Sequence, residues 1–297
     1  MSWPATEAAD ERYRGLDTWQ PAAILSALAD GHDRAIDAAR SALPAIARAA
    51  EAAADALRGG GRLVYLGAGS SGLIALLDAL EIPQTYGIAP DRIVMILAGG
   101  AETAANLTGI SEDDADEAVA AIRRQDIAAG DVVVGVSASG STPYTVAGLQ
   151  AAHDAGATTV AIASNAEAPL LAIADIAIAT PTGAEVIAGS TRMAAGTAQK
   201  AVFNMLSTLT AIRLGHVHDN LMVNLRADNA KLRRRAGAII SRVTGVDADR
   251  AADALGRAGG DLKTAILLAS GVADPDEARR RLADSQGRVR PAMAATD

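Results

Sequence analysis

The chain has 297 residues, half of them hydrophobic and only 2% aromatic, so its core must come from Ala, Val, Ile and Leu, and stacking on bases or sugar rings is excluded as the main recognition device. The absence of cysteine excludes disulfides, thiolate metal sites and cysteine nucleophiles. A formal net charge of −8 argues against non-specific binding to nucleic acid or an anionic membrane surface, so any bound phosphate must be held by local donors.

Met1 to Asp17 is polar and carries both charge signs, so it reads as an irregular arm and not a signal peptide. No apolar run approaches membrane-spanning length, and the cytoplasm is the expected location, with no membrane partner. From Gln20 to Arg58 the chain is Ala-rich with apolar residues at helical spacing, which predicts two or three helices broken at Asp30-Gly31 and Pro44.

Leu63 to Leu66 is an apolar run suited to a strand buried on both faces. Gly67, Gly69 and Gly72 follow with Ser70-Ser71 at the next helix start, where free N–H groups and hydroxyls favour an anion. The Gly-x-Gly-x-x-Gly spacing also suits a dinucleotide, but the acidic residue expected after the second strand is missing, since Ile93–Ala98 runs straight into Gly99-Gly100. A phosphate monoester is therefore the preferred ligand, although the same turn can connect strand to helix with no ligand at all.

Strands are expected at Arg62–Leu66, Ile93–Leu97, Val132–Val136, Thr158–Ala163 and Ile176–Ala179 with helices between them, which predicts an α/β fold with a doubly wound, helix-covered parallel sheet. Ligands in such sheets bind at the carboxyl ends of the strands. The loop after the third strand, Ser137-Ala138-Ser139-Gly140-Ser141-Thr142-Pro143, again sets hydroxyls at a helix start, with Pro143 in the first turn. After the fifth strand comes 182–192, where Ser190 and Thr191 are placed to cap a long helix reaching about Leu214. The four histidines lack metal spacing, His216 and His218 read as a solvated loop pair, and no metal or cofactor is expected. Beyond Asn220 the chain is helical, with a compact three-helix unit over Asp247 to Leu282 and a solvated face carrying Lys231, Arg233, Arg234 and Arg235.

The chemical candidates are carboxylates. Glu81 stands at the end of an apolar helix just before Pro83, where partial burial would raise its pKa into a range useful for acid catalysis. Glu112 lies in Ser111-Glu112-Asp113-Asp114, which by itself reads as a helix start of capping-box type.

GAGSSG at 67–72, SASGSTPY at 137–144 and EVIAGSTRMAAGTAQK at 185–200 resemble the three signature loops of a sugar isomerase (SIS) domain. More narrowly they resemble the N-acetylmuramic acid 6-phosphate etherases, relatives of the glucokinase regulatory proteins. LDALEIPQTYG at 77–87, AGG at 98–100, NLMVNLRADNAKL at 220–232 and Lys263-Thr264-Ala265-Ile266 extend the likeness over nearly the whole chain. The resemblance implies a lyase that cleaves the D-lactyl ether of N-acetylmuramic acid 6-phosphate, giving N-acetylglucosamine 6-phosphate and D-lactate by elimination and addition of water. It implies Glu81 as the acid for the leaving lactate and Glu112 as the base at C2. Ser70, Ser71, Ser137, Ser139 and Thr142 would hold the phosphate, with Glu185, Ser190 and Arg192 also on the substrate. It further implies an N-terminal arm and helices over 1–50, a five-stranded SIS domain over 51–220, a C-terminal helical region over 221–297, and a homodimer.

The family usually carries Arg where this chain has Leu73 and Ser141, Lys where it has Ala194, and Pro-Glu where it has Ala184-Glu185. Three cations fewer around an anionic substrate remove charge-assisted hydrogen bonds of about 1.5–3 kcal/mol each. Either residues such as Arg192 take over or the ligand carries less charge. An isomerase or lyase on another sugar phosphate, and a non-catalytic sugar-phosphate sensor, are the alternative readings.

Overall fold

The computed structural model describes residues 5–104, 109–225 and 229–294. Five short apolar runs form parallel strands: β1 (Leu63–Gly67), β2 (Ile93–Leu97), β3 (Val132–Val136), β4 (Thr158–Ala163) and β5 (Ile176–Ala179). Every residue of β1 and β3 is buried, as expected of central strands covered on both faces. The sheet order is β2-β1-β3-β4-β5, so the direction of winding reverses between β1 and β3. Gly67 pairs with Leu97 on one side and Val136 on the other, which brings the loops after β1, β2 and β3 off the sheet at one level.

The chain divides into two compact units, one comprising the residues up to Leu80 with Pro90–Ser207, the other Glu81–Ala89 with the chain from Thr208 onward. The first holds the sheet. Its N-terminal helices are α1 (Pro21–Ser41) and α2 (Leu43–Arg58), with the break before Pro44 where the sequence places it. Asp30-Gly31 does not interrupt α1. Gly31 is a close-packing position instead, since a Cβ there would lie 3.3 Å from Val186 Cγ2.

α3 (Gly69–Tyr86) runs through Pro83, where a helix end is expected from sequence. The stop is Gly87, whose φ of +64° and close approach to Asn224, with a Cβ landing 2.0 Å from that carbonyl oxygen, admit no side chain. α4 (Ala115–Arg124) is capped by Asp114 alone, which accepts from Glu117 N at 2.9 Å; Ser111 takes no part in a capping box. α5 (Pro143–Asp154), α6 (Pro169–Ala172) and α7 (Ala194–Arg213) complete the helical layers.

The second unit contains a ribbon of β6 (Val217–His218) with β7 (Leu221–Met222) and the helices α8 (Ala230–Thr244), α9 (Ala248–Arg257), α10 (Leu262–Ala269), α11 (Pro275–Asp284) and α12 (Val289–Ala294). Asn229, Asp247, Asp261 and Asp274 each cap the helix that follows them. One apolar cluster running from Val223 to Ala292 joins these helices. His216 departs from the solvated pair expected in sequence. Burial, reinforced by the Lys263 charge, pushes its pKa down to about 3, and its Nδ1 has no hydrogen-bond partner.

Candidate functional site

A sheet of this order offers a ligand crevice where its winding reverses, beyond the carboxyl ends of β1 and β3. Two hydroxyl-bearing turns flank it. After β3, Ser137 Oγ lies 2.8 Å from Thr142 Oγ1 and 3.2 Å from Ser139 Oγ, and it accepts from Gly140 N at 3.0 Å. Ser141 Oγ donates to Ser139 Oγ at 3.1 Å, so four hydroxyls form one connected cluster. Gly140 makes the turn possible, because its φ is +69° and a Cβ would stand 2.3 Å from Ala168 Cβ. Thr142 occupies the N-cap position of α5, and its side chain bonds none of the helix's N–H groups, which leaves the first-turn donors clear of side-chain capping.

After β1 the chain enters α3 at once. Gly72 packs on Gly67, a Cβ there falling 2.9 Å from the Gly67 carbonyl carbon, and this contact sets the tight angle between strand and helix. Ser70 is exposed and Ser71 half-buried in the first turn.

Glu112 arrives at this turn from Gly109–Asp113, a short helical segment after β2. Its carboxylate lies against Gly69, so closely that a Cβ on that glycine would be 2.4 Å from Oε1. Burial raises its pKa, and the Asp113 charge adds to the effect. The structure thus brings Glu112 to the glycine turn that opens α3, a juxtaposition that spacing alone cannot show.

Glu81 lies in α3 but is solvent-exposed, contrary to the partial burial expected from sequence. The reason is local: the helix does not end there, and Leu77 and Leu80 in the preceding turn are themselves 46% and 63% exposed. One turn earlier sits Asp78, which sequence reasoning missed. It is 2% exposed and accepts from Tyr65 Oη at 2.8 Å, Asn204 Nδ2 at 2.9 Å and Ser207 Oγ at 3.1 Å. A lone aspartate inside an apolar helix was the available signal.

Glu185 is buried, and its two oxygens accept from Ala194 N and Ala195 N, each at 2.9 Å. This carboxylate caps α7, where Ser190 or Thr191 was expected to do so, and it fills the anion-favouring end of that helix. Ser190 and Thr191 instead belong to the preceding turn, through Ser190 N to Ile187 O and Thr191 N to Gly189 O, both 2.9 Å. Arg192 is exposed. Of the positions expected to lack family cations, Ser141 joins the hydroxyl cluster and Leu73 is half-buried, while Ala194 is buried against Ala35 and Ala198. Among the described residues no group of three or more His, Asp and Glu could hold a metal ion, and no helix is long and apolar enough to cross a membrane.

Residues 31–164 match the family model described as SIS domain. The chain is 44% identical over 290 residues to the N-acetylmuramic acid 6-phosphate etherase of Mycolicibacterium smegmatis, covering 98% of this chain and 97% of that protein. It is 52% identical to the N-acetylmuramic acid 6-phosphate etherase of Symbiobacterium thermophilum over 77% of each chain. With that of Deinococcus radiodurans it shares 41% identity over 97% of this chain and 94% of the other.

Proposed function

Because the chain belongs to the N-acetylmuramic acid 6-phosphate etherase family, we propose that it is a carbon–oxygen lyase releasing D-lactate from N-acetylmuramic acid 6-phosphate. The observation that carries this reading is the Glu112 carboxylate set against the glycine turn of α3, beside a crevice flanked by the Ser137–Thr142 hydroxyl cluster. The phosphate rests on Ser70, Ser71, Ser137, Ser139 and Thr142, which supply neutral donors at helix starts and suit an acidic protein. Ring opening gives an aldehyde that acidifies the proton at C2. Glu112, its proton affinity raised by burial, removes that proton. The electron pair forms the C2–C3 double bond, the C3–O bond breaks, and Glu81 protonates the departing ether oxygen. Water then adds at C3 as the proton returns to C2, giving N-acetylglucosamine 6-phosphate.

Ser190 and Arg192 contribute to the lactyl side of the site, while Glu185 acts on substrate indirectly, by holding the start of α7. The enzyme works in the cytoplasm as a homodimer. Support for the dimer is the uncovered apolar surface at Leu77 and Leu80 on α3, together with Leu25, Ile36 and Leu43 on the N-terminal helices. A monomer at micromolar concentration in sedimentation runs would remove that part of the reading.

Turnover in H₂¹⁸O tests the chemistry. Label is expected at C3 of the sugar phosphate and not in the lactate, because the ether oxygen leaves with lactate. Absence of lactate, or label in the lactate hydroxyl, would reject the mechanism.

A further inference from the structure

The N-terminal arm, expected to be irregular, is tied to the loops of the site. It contains three short helical turns, Ala5–Glu7, Glu11–Tyr13 and Leu16–Thr18, and Thr6 in the first is completely buried. Thr6 Oγ1 accepts from Asn165 Nδ2 at 3.2 Å, and the same amide group donates to Ser139 O at 3.0 Å. Thr6 O accepts from Gly189 N at 3.3 Å. Thr6 therefore bonds to the loops that follow β4 and β5, and Asn165 carries the link on to the loop after β3. The next residue, Glu7, lies against Gly189, where a Cβ would be 2.8 Å from Glu7 Oε2. Glu7 is half-buried, and among the described residues no cation or N–H group pairs with its carboxylate. Such a group at the edge of an anion site repels phosphate and accepts from hydroxyl or amide N–H donors.

We propose that Glu7 is a specificity-determining residue that accepts hydrogen bonds from the hydroxyl or acetamido N–H groups of the sugar, and that Thr6 is the positioning residue that holds it there. This rests on the sugar-phosphate reading above. The carboxylate complements the hydroxyl cluster chemically: Ser137, Ser139 and Thr142 take the phosphate end, and Glu7 takes the donor-bearing ring. It also disfavours a bound ligand turned end for end, since that would bring phosphate against a carboxylate.

Calorimetric titration with inorganic phosphate and with N-acetylglucosamine 6-phosphate tests the assignment on wild type, Glu7→Gln, Thr6→Ala and Thr6→Ser. Glu7→Gln is expected to bind the sugar phosphate about tenfold more weakly, as for a lost bond to a charged group, and inorganic phosphate as well as wild type does. Thr6→Ala should show the same selective loss, and Thr6→Ser, which keeps the hydroxyl, should restore affinity. Wild-type affinity for the sugar phosphate in Glu7→Gln would overturn the proposal, as would equal weakening toward both probes. A wild-type protein that binds N-acetylglucosamine 6-phosphate but releases no lactate from N-acetylmuramic acid 6-phosphate would overturn the etherase reading alone; one that binds neither probe would overturn both.

Discussion

The Tyr65 hydroxyl donates to Asp78 Oδ2 at 2.8 Å, linking the middle of β1 to α3 inside the core. Two donors from α7, Asn204 and Ser207, complete the set around the other oxygen. Burial raises the pKa of Asp78, against the pull of these three hydrogen bonds. Asp78→Ala strands the buried Tyr65 and Ser207 hydroxyls, leaves the exposed Asn204 amide to water, and is expected to lower stability by about 2–4 kcal/mol, while Tyr65→Phe, which removes one donor, costs about 1 kcal/mol. Urea unfolding at neutral pH measures both. A loss below about 1 kcal/mol for Asp78→Ala would mean that these bonds contribute nothing net.

The two hydroxyl-bearing turns end adjacent strands, so their helix starts face one crevice. Ser71→Ala combined with Ser139→Ala is expected to abolish thermal stabilisation by sugar phosphates while leaving the ligand-free melting temperature near that of wild type. Both side chains are only partly buried, so little packing is lost with their hydroxyls. Unchanged ligand stabilisation in the double variant would move the phosphate site elsewhere.

Elimination requires one proton to be removed at C2 and another delivered to the ether oxygen, so the two glutamates should be separable. Glu81→Gln is expected to stop lactate release from N-acetylmuramic acid 6-phosphate while leaving solvent deuterium exchange at C2 of N-acetylglucosamine 6-phosphate. Glu112→Gln should slow that exchange by about 10²–10⁴-fold. Exchange that survives Glu112→Gln but not Glu81→Gln would reverse the assignment. A native protein that binds the sugar phosphate yet neither exchanges C2 nor releases lactate would be a sensor.

His216 makes stability depend on pH in a defined direction. Its folded pKa, pushed down to about 3 by burial and then by the Lys263 charge, lies below the ordinary 6.5, so the unfolded chain binds more protons between those values. The stability tied to a neutral His216 is present above about pH 6.5 and falls as pH drops toward 3, with a slope of up to about 1.4 kcal/mol per pH unit. Between pH 7 and pH 5, wild type should lose about 2 kcal/mol more than His216→Gln in urea unfolding. Equal losses in the two proteins would take His216 out of the acid response.

Sequence by itself determined the sheet and the hydroxyl turns, because both are written in short contiguous stretches. The runs at 63–66, 93–97, 132–136, 158–163 and 176–179 are apolar enough to read as strands of a helix-covered sheet, and their spacing leaves room for a helix between each pair. Gly140 and Pro143 likewise mark a turn and a helix start through their own backbone limits. What only the tertiary structure decided are the relationships between distant segments. Pro83 marks a helix end in sequence, yet three more residues stay helical until the chain must pass Asn224. Ser190 and Thr191 have the composition of caps, but the buried Glu185 reaches the amides first. Glu112 stands over Gly69, and Thr6 joins Asn165 and Gly189, through contacts between residues far apart in the chain. Local propensity reports the backbone geometry a residue tolerates; which partner satisfies a buried carboxylate or amide depends on what packing brings within about 3 Å.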